Sequence, residues 1–87
     1  KMDDHNEQLS EVIKVLTYLQ KDIMIPKNIR LKLKKAHFAL VEENKNLSLR
    51  VDKSIQELDD IAEDPNIPTH TKTQLWDVFS KLECIQQ

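Results

Sequence analysis

The side chains of this chain that could carry chemistry are three histidines, one cysteine and 15 acidic residues. A di-iron site in a helical protein uses Glu-x-x-His pairs that project inward. None of the three histidines has an acidic residue three positions before it. The histidines and Cys84 are also dispersed, whereas zinc ligands come in closely spaced pairs. The pattern therefore predicts no metal site and no cofactor.

His70 and Asp64 could form one acid–base pair, because His70 follows Asp64 by six residues and could hydrogen-bond to it. Such a pair can orient an imidazole for proton transfer, but it can also do no more than tie down a loop. Asn28 holds the related position 42 residues earlier, and its amide can tie a loop but cannot act as an acid or base. None of the four serines has a base near it in sequence or the motif of a strained nucleophile turn. We predict that the protein is not an enzyme and has no catalytic residues.

Charge is distributed unevenly, although the net charge at pH 7 is only −2. Residues 24–40 contain five basic and no acidic side chains, and residues 57–64 contain five acidic and no basic ones. Three interpretations stay open: both faces are only solvated, they complement each other within or between copies, or the basic stretch contacts phosphate. The basic side chains are Lys27, Arg30, Lys32, Lys34 and Lys35.

Aromatic and apolar side chains also lie away from the predicted core. On a helical wheel whose apolar stripe runs from Ile29 to Leu40, Leu31 and Phe38 fall nearly opposite that stripe and lie two turns apart. Aromatic residues beside lysines are typical of protein interfaces, where aromatics contribute much of the binding energy. The alternative is that these rings pack at helix boundaries. The predicted interface comprises Leu31, Lys34, Lys35, Phe38 and Trp76.

The elements that position these residues are helices. The chain contains no glycine, which excludes the phosphate-binding and dinucleotide-binding motifs that are defined by their glycines. Apolar residues recur with a period of about 3.6 in four stretches, as in amphipathic helices. The predicted core positions are Leu9, Val12, Ile13, Leu16 and Leu19, then Ile29, Leu33, Ala36 and Leu40, then Leu47, Val51, Ile55, Leu58, Ile61 and Ala62, and finally Leu75, Val78, Phe79, Leu82 and Ile85.

The chain repeats itself at an offset of 42 residues, and the matches fall on core and turn positions. The motif Asp-x-x-Ile-Pro occurs at residues 22–26 and again at residues 64–68. Proline suits the first position of a helix, and the aspartate can accept hydrogen bonds from amides at that helix start. We predict two structural corners, with a corner that binds a ligand or anion as the alternative. They comprise Asp22, Ile25 and Pro26 in the first and Asp64, Ile67, Pro68 and His70 in the second.

Two helical hairpins of one plan can cover each other's apolar faces. We therefore predict an all-α protein, an antiparallel up-down-up-down four-helix bundle made of two pseudo-repeated hairpins. The hairpins span about residues 4–43 and 46–86, within a single domain of residues 1–87.

The segments DPNIPTHTKTQLWDVFSKLE (64–83) and IPKNIR (25–30) resemble a small archaeal family of uncharacterised proteins of about this length. The resemblance covers nearly the whole chain, and LKLKKAHFALVEE (31–43) departs from it by being more basic. It implies a four-helix bundle in an archaeal cytoplasm and no assigned activity. The residues that carry it most specifically are Asp64, Pro65, Asn66, Pro68, His70, Thr73, Trp76, Ser80, Leu82 and Glu83.

The single cysteine, the polar start KMDDHNEQ and the absence of a long apolar run lead us to expect a cytoplasmic protein without a signal peptide or membrane partner. The favoured role is a protein–protein interaction or structural module whose partner is another protein or a second copy. The alternative is a nucleic-acid-binding accessory protein that contacts the phosphate backbone through the basic helix 27–35 without sequence specificity.

Overall fold

The computed structural model describes residues 2–86, with side chains from residue 6 onward, and these residues form four α-helices and no β-strand. The helices are α1 (Met2–Gln20), α2 (Lys27–Val41), α3 (Leu47–Ala62) and α4 (Thr69–Gln86). The prediction of an all-α fold is confirmed.

The helices are arranged in a ring in which each one packs against two neighbours. Within residues 2–86, contacts join α1 with α2, α2 with α3, α3 with α4, and α4 with α1, while the diagonal pairs do not touch. Two hydrogen bonds show that α2 and α3 run in opposite directions. Lys32 bonds to Asp60, whereas Ala36, which comes later in α2, bonds to Ser54, which comes earlier in α3. This arrangement is consistent with the predicted up-down-up-down bundle.

The core is apolar and draws on all four helices. Every predicted core position is buried or half-buried against the core cluster. Two polar residues share this interior, because Ser54 and Thr71 are both 0% exposed. The Ser54 hydroxyl donates to the carbonyl of Ala36 at 3.1 Å, whereas the Thr71 hydroxyl has no hydrogen-bond partner among the described residues.

Both corners form the same turn, with one difference from the prediction. The carboxylate of Asp22 accepts from the amide of Met24 at 2.9 Å, and that of Asp64 accepts from Asn66 at 2.8 Å. These amides belong to the connections, so the prediction that the aspartates bind the amides of the next helix is wrong. A carboxylate bonds most easily to its own backbone two residues later, which closes a local turn first.

The corner prolines precede the helices instead of starting them. The carbonyl of Pro26 accepts the first helical bonds of α2, from Ile29 and Arg30, and Pro68 has the same role before α4. The predicted helix starts are therefore one residue too early. Ile25 and Ile67 are buried at these corners, as predicted for residues that close the end of the core.

The connection between α2 and α3 uses polar caps. Asn46 accepts from the amide of Leu49 at 2.9 Å and so is the N-cap of α3. The guanidinium of Arg50 donates to the carbonyl of Leu40 at 3.0 Å and so satisfies one of the last carbonyls of α2. In residues 2–86 no backbone φ angle is positive, so all three connections are built without left-handed residues.

Candidate interaction surfaces

The outer side of α2 carries the first surface of interest. Leu31 and Phe38 are both more than half exposed, as the helical wheel predicts, and Phe38 is 56% exposed. The ammonium of Lys34 lies 5.6 Å from the centroid of the Phe38 ring, within the range of a cation–π contact. We call Leu31, Lys34, Lys35 and Phe38 the α2 surface.

A groove of about 580 Å³ separates the α2 surface from α3. Lys35 and Phe38 line its α2 wall, and Leu49, an exposed leucine that we did not predict, lines its α3 wall together with Arg50 and Lys53. The groove therefore combines apolar contacts with a mixed set of charges. Its shape extends the α2 surface towards α3.

The basic stretch of α2 is partly engaged within the molecule. The Lys32 ammonium lies 2.8 Å from Asp60, and the Arg30 guanidinium donates to the carbonyl of Ile25 at 3.0 Å. The hydrogen bond that Lys32 donates to Asp60, and then the negative charge of Asp60, raise the pKa of Lys32 above its ordinary value of 10.5. Charges on α2 and α3 thus complement each other within one copy at Lys32, as one of the three interpretations held.

Trp76 lies in a different groove, which α3 and α4 form. This groove has a volume of about 410 Å³, and Trp76 is 61% exposed beside the half-buried Phe79, with 6.2 Å between the ring centroids. Among the residues whose side chains the structure describes, two carboxylates line it, from Asp59 and Glu83, and no basic side chain does. We call it the Trp76 groove. The structure does not bring Trp76 together with the α2 surface, because the two grooves lie on either side of α3.

The corner histidine contacts the other hairpin. Nε2 of His70 lies 3.7 Å from Oδ2 of Asp22, so the predicted pairing of His70 with Asp64 is wrong. The two corners meet at one end of the bundle, and sequence proximity to Asp64 therefore misidentified the partner. His70 is well exposed, and this contact joins the first corner to the start of α4.

Two further exposed apolar residues lie in the first corner. Ile23 and Met24 are 85% and 72% exposed. The repeat offers a signal that could have identified them, because the equivalent positions in the second corner are Pro65 and Asn66. A polar or turn-forming residue at the equivalent position indicates that the site faces solvent.

Among the described residues, no group of three or more His, Cys, Asp or Glu side chains is placed to hold a metal ion. In the same part of the chain, no helix combines the length and the apolar character required to cross a lipid bilayer.

Comparisons with known proteins show that the fold is shared. Residues 1–85 match the family model of the uncharacterised protein family UPF0147. The chain is 38% identical over 78 residues to a UPF0147 protein of Thermoplasma acidophilum, which covers 90% of this chain and 89% of that protein. It is 37% identical over 86 residues to a UPF0147 protein of Pyrococcus abyssi, covering 98% of this chain and 100% of that protein.

Two crystal structures agree closely with the fold. MMP1188, a protein of unknown function, superposes with a TM-score of 0.89 and 40% identity, over 94% of this chain and 93% of that one. A UPF0147 protein from Thermoplasma acidophilum superposes with a TM-score of 0.90 and 36% identity, over 95% and 98% of the two chains. The relatives named here are archaeal and of similar length, in agreement with the resemblance seen in the sequence. The chain thus belongs to the UPF0147 family of uncharacterised proteins.

Proposed function

We propose that this protein is a small cytoplasmic interaction module that binds other protein molecules through the α2 surface. The observation that carries the proposal is the exposure of Leu31 and Phe38 on one stripe of α2, between Lys34 and Lys35. A side chain of phenylalanine size that stays in water forfeits the burial free energy of its ring, and binding a partner recovers it.

The interior supports this assignment over an enzymatic one. Among the described residues, the buried polar side chains are the hydroxyls of Ser54 and Thr71; Ser54 bonds to a backbone carbonyl and Thr71 has no hydrogen-bond partner, so neither is bonded to a base that could activate it. The groove between α2 and α3 contains Phe38 and Leu49 at its surface, where a partner side chain can reach them. A binding role therefore uses the features that the fold leaves outside.

The test compares Phe38→Glu with the parent protein. Each is used as a tagged bait in the native cell extract, and each is also tested for binding to a differently tagged second copy. We expect the Phe38→Glu bait to lose at least one protein that the parent bait retains. If the chain binds itself, that protein is the second copy. A buried charge at the centre of an interface typically costs several kcal/mol.

The matched control is Lys14→Glu, an exposed change on α1 that should retain every partner. Far-UV circular dichroism must show equal helix content in the three proteins. If parent and Phe38→Glu bait retain the same proteins in equal amounts, the α2 surface is not the binding surface.

The alternative is binding of nucleic acid through the basic helix 27–35. Arg30 and Lys32 already bond within the molecule. The cations that favour nucleic-acid binding are therefore Lys27, Lys34 and Lys35. Three phosphate contacts would give weak affinity that falls steeply between about 50 and 200 mM salt. A titration with single- and double-stranded RNA and DNA at low salt tests it, and the absence of binding there excludes it.

A further inference from the structure

We propose that the α2 surface of one copy docks into the Trp76 groove of a second copy. This inference rests on the proposed function and names the partner: another molecule of the same chain, bound through two different surfaces.

The Trp76 groove has the chemistry of a site for a cationic side chain. An exposed indole and a neighbouring phenyl ring offer π faces, which attract ammonium and guanidinium groups. Asp59 and Glu83 add two carboxylates, and within the described residues neither has a basic group within 4 Å. Both features select for positive charge next to apolar surface.

The α2 surface presents that combination. Lys34 and Lys35 are exposed and, in the part of the chain that the structure describes, have no acidic partner within 4 Å. Leu31 and Phe38 lie among them and can contact Trp76 while the lysines reach the carboxylates. The same 87-residue chain therefore carries unpaired cations on one face and unpaired carboxylates on another.

The contact must form between copies. In residues 2–86, α2 and α4 lie diagonally across the bundle and do not touch, so the α2 surface cannot reach its own Trp76 groove. The contact joins two different surfaces, one from each copy, so it is heterologous, and an open assembly leaves one α2 surface free at one end and one Trp76 groove free at the other. Association should continue past the dimer and should weaken with added salt.

The experiment reverses charge on one side at a time. One variant carries Lys34→Glu with Lys35→Glu, and the other carries Asp59→Lys with Glu83→Lys. We expect sedimentation velocity at about 100 μM to show assemblies for the parent and about a tenfold or greater loss of association for each variant. Mixing the two variants should restore association, with the two chains alternating. The acidic α2 surface of the first variant complements the basic groove of the second, and the basic α2 surface of the second complements the acidic groove of the first. The variant with all four substitutions should assemble again, because its charges are exchanged.

Control variants separate this effect from net charge. Lys14→Glu with Lys21→Glu, and Glu7→Lys with Glu43→Lys, change the charge by the same amounts at exposed positions elsewhere. They should assemble like the parent, and thermal unfolding should show that all variants fold.

The outcomes distinguish this inference from the proposed function. A monomeric parent at about 100 μM, or assemblies that the reversals leave intact, overturns the docking of α2 into the Trp76 groove. Such a result leaves the proposed function standing if Phe38→Glu still loses a different protein partner. Failure of mixed variants to pair, when each alone is monomeric, also contradicts the two-surface contact.

Discussion

Thr71→Val should stabilise the protein, although it removes a polar group. Thr71 is 0% exposed in the first turns of α4, and its hydroxyl has no hydrogen-bond partner within the described residues. In the 42-residue repeat Thr71 aligns with Ile29, which is also fully buried. Valine has nearly the same shape as threonine, so the substitution exchanges a hydroxyl for a methyl group without leaving a cavity.

The expected magnitude follows from the cost of an unpaired buried hydroxyl. Leaving such a group unsatisfied costs about 1–3 kcal/mol, and burying a methyl group in its place is favourable. We expect the free energy of unfolding to rise by about 1–2 kcal/mol. For a domain of this size each kcal/mol corresponds to roughly 4–8 °C in Tm.

Urea unfolding followed by circular dichroism measures the change, with the midpoint and the slope fitted separately. Thr73→Val is the matched control, because the Thr73 hydroxyl is exposed and bonds the carbonyl of Thr69 at 3.3 Å. It should leave the free energy of unfolding almost unchanged. A Thr71→Val protein that is no more stable than the parent would refute the reasoning, and it would indicate that the Thr71 hydroxyl has a polar partner.

The remaining predictions concern a second buried hydroxyl and two lysines. Ser54→Ala removes a hydroxyl that donates to Ala36, so urea unfolding should show a loss of about 0.5–1.5 kcal/mol, opposite in sign to Thr71→Val; a gain would contradict the assigned hydrogen bond. The hydrogen bonds that Lys32 donates to Asp60 and Lys81 donates to Asp77 raise the pKa values of both lysines above 10.5 in the folded state. Their contribution to stability is therefore complete below pH 10.5 and disappears as the pH rises through the folded-state pKa values. Unfolding measured from about pH 9 to about pH 12 should show a smaller decline in Lys32→Met with Lys81→Met than in the parent, and equal declines would contradict the two ion pairs.

Much of the fold could be predicted because the repeat and the helical period act on the same residues. Leu16 and Leu58, or Leu33 and Leu75, are equivalent in sequence and are all fully buried. The period of an amphipathic helix can be read directly from the sequence. Four helices that pack their apolar faces together have few possible arrangements when the connections are short. The starts of α2 and α4 lie one residue later than predicted, because proline fits before the first helical position as well as in it.

The buried hydroxyls could not be predicted from the periodicity, because that periodicity concerns apolar residues only. The repeat would have revealed them, since Ser54 aligns with Val12 and Thr71 with Ile29. The partner of His70 could not be read from local sequence, because Asp22 lies in the other hairpin and only the bundle brings the two corners together.

The candidate surfaces could be predicted only in part. The helical wheel placed Leu31, Phe38 and Trp76 outside, and all three are exposed. It could not show that Trp76 lies in a separate groove with Asp59 and Glu83, because that depends on how α3 and α4 are rotated against each other.

The connections without glycine have a consequence for the unfolded chain. Glycine visits more backbone conformations than any other residue, so a chain that lacks it has less conformational entropy to lose when it folds. The turns here are closed by aspartate, asparagine and proline at ordinary φ angles, and proline restricts the unfolded chain further. A bundle of 87 residues can therefore be stable with a modest core, because ordering its corners costs less conformational entropy.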